Sequence, residues 1–217
     1  MKKMTYLISF FLMSLSWGAT ASQGHLHLEK ANNDLRDKAS LQRGALLFSE
    51  YCLSCHSVKY MRFNRIARDL GWPEEEILKK MAFGQYKFFD NVTQRVPADV
   101  EHEVFGTTAP DLSLMARLKG TDYIYNFLLD FYQKEGKWDN KLLPGTVMPN
   151  VFEGLKRHEK KEEVEQAARD VANFLEYVGE PAKLKHWDLG WKVLLFLAFF
   201  FVLTYLLKKE YWLDVKK

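Results

Sequence analysis

The chain has two cysteines in 217 residues; they stand three apart and run straight into a histidine, Cys52-Leu-Ser-Cys55-His56. No other stretch restricts the fold as tightly. C-x-x-C-H is the attachment signature of haem c. One turn of backbone sets two thiols toward the two vinyl groups of a porphyrin, and the next residue offers an imidazole to the iron. Cys52 and Cys55 are therefore expected to become thioethers and His56 the proximal ligand. Three other uses fit less well. A dithiol redox centre wants a βαβ setting, and no such alternation is visible. A structural zinc site needs four ligands, which Cys55 and His56 cannot complete without a second pair. A Cys52–Cys55 disulfide closes too small a loop to gain much.

The two ends of the chain say where such a domain works. Lys2 and Lys3, the apolar stretch Tyr6 to Trp17 and Ala19-Thr20-Ala21 read as an export signal cleaved after Ala21. At the other end, Val193 to Leu207 is fifteen residues without a charge. A membrane span takes about 17–25 residues, so the run borrows from its flanks and is expected to cover 189–208. Trp187, Trp191, Tyr205, Tyr211 and Trp212 fall where an interfacial aromatic belt would lie. Lys208, Lys209, Lys216 and Lys217 follow the span and mark a cytoplasmic tail, residues 209–217. Both signs put residues 22–188 in the periplasm. Charge supports the division. The whole chain is +3, but residues 22–190 hold 24 Lys and Arg against 26 Asp and Glu. A mildly acidic exported domain does not suit nucleic acid.

The middle reads as all-α. Leu41, Ala45, Phe48 and Cys52 mark a helix over 41–52 with Ser40 as N-cap, and Val164, Ala168, Val171, Leu175 and Val178 mark another over 159–178, ended by Gly179-Glu180-Pro181. Pro73 and three glutamates open a short helix, and Thr121 to Tyr132 looks like a fourth. Residues 83–108 and 139–153 read as loops. Connections that long want something inside to wrap around.

The sixth iron position is open to several candidates. Met/His ligation raises the potential and suits an electron carrier, whereas an open site suits ligand binding or peroxide chemistry. Met61 lies too close to His56 in sequence, and Met81 and Met115 sit on apolar helical stretches that read as core. Met148 stands in Pro144-Gly-Thr-Val-Met-Pro149, where prolines stiffen a loop that can hold a thioether at a fixed point. It is the favoured ligand, with a vacant or different sixth position as the alternative.

Cys-Leu-Ser-Cys-His-Ser at 52–57, Tyr60-Met61-Arg62-Phe63, Ala109-Pro-Asp-Leu-Ser-Leu114, Asp122-Tyr-Ile-Tyr125, the Met148-Pro149 loop and one C-terminal anchor occur together. In this combination the chain resembles the cytochrome c1 family, the haem c subunit of bacterial cytochrome bc1 complexes (ubiquinol–cytochrome c reductase). The resemblance implies a cytochrome c-like haem domain with long loops and one covalent haem c. It implies His56 and Met148 as axial pair, Pro110 packed on the haem and Tyr123 near a propionate. The family's propionate-pairing arginine falls at Lys119, with Arg117 two residues earlier, so either cation is a candidate. A second proline common in the family is Ala109 here. The implied partners are cytochrome b, the Rieske iron–sulfur protein and a soluble or anchored cytochrome c, in a dimeric complex.

In such a domain the first and last helices cross closely. Gly44 would allow the approach, with Leu175 and Val178 as its partners. Acidic stretches, Glu74 to Glu76 and Asp99, Glu101 and Glu103, are candidates for steering a basic cytochrome. The electron-carrier reading has two rivals: an anchored monohaem cytochrome feeding a terminal oxidase or reductase, and a haem sensor or peroxidase-like enzyme with open iron.

Overall fold

A computed structural model describes residues 28–213. The export-signal reading of residues 1–21 lies outside them, as do the last four residues of the tail. In chain order the elements are α1 (Lys38–Tyr51), β1 (Val58–Arg62), α2 (Phe63–Leu70), α3 (Glu74–Ile77, running into a π-helical turn, Leu78–Ala82), β2 (Asn91–Val92) and α4 (Ala98–Phe105). Then come α5 (Met115–Lys119), α6 (Thr121–Leu129), β3 (Phe131–Lys134), β4 (Lys137–Asn140), α7 (Glu153–His158), α8 (Lys161–Gly179) and α9 (Lys183–Tyr211). The strands form two small antiparallel pairs, β1 with β2 and β3 with β4, so the mainly helical expectation holds.

Helices α1 and α8 form the frame. They cross at Gly44, where an added Cβ would lie 2.0 Å from the Asp170 carbonyl oxygen and 2.8 Å from Phe174 Cβ. The close approach was expected of Gly44, but its partners are Asp170 and Phe174 rather than Leu175 and Val178. The crossing is fastened by polar contacts. Asp170, buried, accepts from Ser40 Oγ (2.6 Å), Arg43 Nε (2.7 Å) and Gln166 Nε2 (2.9 Å). Phe48 and Phe174 pack beside them with ring centroids 5.5 Å apart. Ser40 thus sits inside the helix; the N-cap is Asp37, which accepts the Ser40 N–H at 3.0 Å.

Helix α8 is buried on more than its apolar stripe. Asp170, Asn173, Phe174 and Tyr177 are buried as well as Val164, Ala168, Val171, Leu175 and Val178. The reason is that α8 has α1 on one side and α5 and α6 on the other. Arg169 donates through Nε to the Ala31 carbonyl at 2.6 Å and lies over the Tyr125 ring. It ties the N-terminal segment to the domain.

Two stretches read as loops contain regular structure. Residues 83–108 include β2 and α4, and β4 begins just before the 139–153 stretch. Each element is too short to show a period. The helix expected over 121–132 ends at Leu129, after which the chain turns into β3.

Helix α9 is continuous from Lys183, so it starts before the apolar run. Its segment Leu189–Tyr211 has 23 residues; the most apolar 18 of them have a mean hydropathy of 2.1, and none of those is buried. A helix so apolar and so exposed is long enough to cross a bilayer. At its base Lys183 pairs with Glu176, and Arg117 with Glu180 at 3.2 Å. Those contacts link α9 and α5 to the end of α8.

Candidate functional site

The last turn of α1 delivers the cysteine motif. Cys52 caps the helix, its N–H donating to the Phe48 carbonyl at 2.9 Å, and the Cys55 and His56 N–H groups fold back on the Cys52 carbonyl at 3.1 and 2.8 Å. The Arg95 and Val96 N–H groups brace the turn from outside by donating to the Leu53 and Ser54 carbonyls, each at 3.0 Å. Cys52, Cys55 and His56 share one wall of a cleft of about 400 Å³, within the range of about 300–1,000 Å³ usual for small-molecule and cofactor sites. Pro110, Leu112, Tyr123, Phe127, Val171 and Leu175 supply apolar surface, and Met148 and Pro149 come from the irregular loop after β4.

His56 is 9% exposed, and its Nδ1 lies 2.8 Å from the Pro110 carbonyl oxygen. A carbonyl only accepts, so Nδ1 carries the proton and Nε2 is left as the lone-pair donor. Burial holds the imidazole below its usual value, against the opposing pull of that carbonyl. The neutral ring is the form that ligates a metal. Burial pushes the Cys52 thiol up to about 12. It raises Cys55 too, with the Glu101 carboxylate as the next contributor. Neither resembles the low-pKa thiolate of a dithiol redox centre.

The Pro-Asp-Leu-Ser segment has a clear structural task. Besides the Pro110 carbonyl on His56, Asp111 Oδ2 accepts the Lys59 N–H at 3.0 Å. The Leu112 N–H donates to the Ser57 carbonyl at 2.8 Å, and Ser113 Oγ accepts the Tyr60 N–H at 3.2 Å. Four consecutive residues are laced to residues 56–60, which fixes the imidazole ring relative to the cleft.

The candidate residues do not all meet. Cys52, Cys55, His56, Pro110, Lys119, Tyr123 and Met148 line the cleft. Arg117 does not: its guanidinium reaches Glu180, and its stem lies against Gly179. Lys119 is the cation on the cleft, its Nζ 5.5 Å from the Tyr123 ring centroid. Met61 and Met81 are buried core. Met115, read as core, lines the cleft beside Met148. Glu101 belongs to no steering patch: it is 1% exposed and lines the same cleft. Glu76 of the other acidic stretch is paired with Lys80 at 2.6 Å. Glu101, Phe105 and Leu175 were not legible as site residues, because only the fold brings α4 and α8 against the cysteine turn.

These donors fit a covalently held haem: two thiols and an imidazole on one wall, a thioether in a loop of the same cleft, and an otherwise largely apolar lining. Fold and site together define a c-type cytochrome with a long apolar C-terminal helix. Comparison with known proteins narrows the class. The Cytochrome C1 family model matches residues 29–215. The chain is 38% identical to cytochrome c1 of Allochromatium vinosum, over 96% of this chain and 98% of that protein. It is 36% identical to the ammonia monooxygenase gamma subunit of Nitrosomonas europaea, over 96% and 99%. It is also 29% identical to cytochrome b/c1 of Bradyrhizobium diazoefficiens, over 82% of this chain and 34% of that protein. The chain belongs to the cytochrome c1 family, c-type cytochromes of the bc1 complex with covalent haem c.

Proposed function

We propose that this chain, exported and held by α9 with its haem domain in the periplasm, carries single electrons from the Rieske iron–sulfur protein to a soluble or anchored cytochrome c. Cytochrome b is its neighbour in a complex that is dimeric. The observation that carries the reading is the convergence of Cys52, Cys55, Nδ1-bonded His56 and Met148 on one apolar cleft. The name of the Bradyrhizobium relative, which joins b and c1, supports the cytochrome b partner.

When bound, haem c supplies a one-electron Fe(III)/Fe(II) couple. Cys52 and Cys55 would hold it covalently, His56 and Met148 would donate to its iron, and Lys119 and Tyr123 would lie beside its carboxylate groups. The Pro110 carbonyl keeps His56 in one tautomer and orientation. The apolar lining excludes water from the site. Helix α9 tethers the domain, which raises the effective concentration of its donor. The lysine tail after the helix supports a cytoplasmic C-terminus.

Purification of the tagged full chain in mild detergent tests the assembly. Co-recovery of b-type haems, a Rieske signal and quinol oxidation is the expected result; recovery of the monohaem protein alone refutes it. The name of the Nitrosomonas relative motivates a second reading, electron delivery to a monooxygenase, and co-recovery of such an enzyme instead would establish it. The axial pair is tested separately. Met148→Ala should lower the potential and open the ferrous iron to carbon monoxide, whereas Met115→Ala should do neither. Ready carbon monoxide binding by the unaltered protein would overturn the electron-carrier assignment.

A further inference from the structure

Glu101 is a costly residue to keep where it is. It is 1% exposed on α4, in the wall of the cleft. Its Oε2 accepts the Ala109 N–H at 3.1 Å, and its Oε1 is buried without a partner. A leucine would fill the same space with no polar atom to desolvate. A buried orphan oxygen therefore calls for a role beyond packing. The backbone N–H that Glu101 accepts suggests one. The Ala109 N–H lies one residue before the Pro110 carbonyl, and that carbonyl is the acceptor that fixes His56 Nδ1–H at 2.8 Å. The irregular segment from 110 to 113 is laced to residues 57–60 on its far side by Asp111, Leu112 and Ser113. On its near side the tie to α4 is Glu101.

We infer that Glu101 is a positioning residue for the proximal ligand: through the Ala109 N–H it anchors the backbone one residue before Pro110, and so sets the hydrogen bond from His56 Nδ1–H to the Pro110 carbonyl. This rests on the haem reading above. The physical basis is that a ligating imidazole takes its orientation and basicity from the partner of its other nitrogen, and that partner is only as fixed as the backbone carrying it. The carboxylate acts as an acceptor here. An amide oxygen in the same place would serve the Ala109 N–H equally well, whereas a hydrocarbon would not.

The test uses the full-length, haem-loaded protein in detergent with ¹⁵N-labelled histidine. Solvent exchange of the His56 Nδ1–H is followed in the reduced state, alongside the midpoint potential. Glu101→Gln should keep the slow exchange of the unaltered protein. Glu101→Leu should speed it by about tenfold, the scale of losing one net hydrogen bond, and shift the potential while the methionine–iron charge-transfer band persists. If the leucine variant fails to fold, Ala109→Pro breaks the same bond from the donor side and leaves Glu101 in place; it should speed exchange equally. Unchanged exchange in both Glu101→Leu and Ala109→Pro, or exchange in Glu101→Gln as fast as in Glu101→Leu, overturns the inference. Failure of the underlying haem reading looks different: the unaltered protein would then carry no covalent haem, or none ligated by His56.

Discussion

Gly44→Ala is the perturbation that most directly tests how the haem domain is held together. On an exposed helix the change would stabilise the protein by about 1 kcal/mol, since alanine is the better helix former. Here the new Cβ would sit 2.0 Å from the Asp170 carbonyl oxygen, 2.7 Å from its carbon and 2.8 Å from Phe174 Cβ, where ordinary contact begins at 3.4 Å. The obstacle is helix backbone and cannot swing aside as a side-chain tip can. Helices α1 and α8 must therefore separate by about 1.4 Å at the crossing to restore ordinary contact. That movement stretches the Ser40–Asp170 and Arg43–Asp170 bonds, now 2.6 and 2.7 Å. Overpacking costs about 1–3 kcal/mol, and weakening a charge-assisted bond to a buried carboxylate adds about 1–2 kcal/mol. Less the helix-propensity gain, the expected net destabilisation is about 1–4 kcal/mol. Guanidinium unfolding of the haem domain, followed through the haem absorption and by circular dichroism, measures it. The midpoint should fall with the slope unchanged. A variant as stable as the unaltered protein, or more stable, would show that the close crossing does not govern the frame.

Two further outcomes follow from the loops and cations around the cleft. Asp139 anchors the loop that ends at Met148: its Oδ1 accepts the Asn140 and Gly145 N–H groups at 2.8 and 2.7 Å, and its Oδ2 accepts from Tyr132. Those bonds, the Asn140 N–H first, hold its carboxyl below the usual aspartate value. A folded-state pKa below the unfolded one gives stability that is full above the ordinary aspartate range and lost as pH falls through the lowered value. Acid titration should therefore bleach the methionine–iron band before haem is lost. Asp139→Ala should weaken that band already at neutral pH; an acid profile identical in the two proteins would refute the role. Of the two candidate cations, Lys119→Gln should lower the midpoint potential, since a positive charge beside the cofactor favours Fe(II). Arg117→Gln should leave the potential in place and cost at most about 1 kcal/mol at its exposed pair with Glu180. Equal shifts in both variants would contradict the placement of Lys119 on the cleft.

Much of this site was legible before any fold, because covalent attachment writes its chemistry into adjacent residues. Cys52, Cys55 and His56 occupy one turn, and the spacing fixes their geometry. Met148 could be favoured from its proline-stiffened loop. The long helices were legible too, since α1 and α8 keep an apolar stripe over several turns. The short elements were not: β2 has two residues, and α4 runs for eight from Ala98 with no sustained period. The error over Glu101 has the same root. Between Asp99 and Glu103 it reads as one of three surface acids, and only the packing of α4 against the cysteine turn buries it while its neighbours stay exposed. Met115 packs against the core, as its apolar stretch suggests, and lines the cleft as well.

The sequence by itself determined the chemistry that depends on local spacing and composition: the haem attachment turn, the apolar C-terminal helix with its lysines, and the two framing helices. Tertiary structure alone decided which distant groups meet. It sets the Pro110 carbonyl on His56, brings Lys119 rather than Arg117 to the cleft, chooses Asp170 and Phe174 as the partners of Gly44, and puts Glu101 in the wall of the cleft. The physical reason is sequence distance. A pattern within one turn or one helix is fixed by backbone geometry, whereas a hydrogen bond across fifty residues exists only once the whole core has packed.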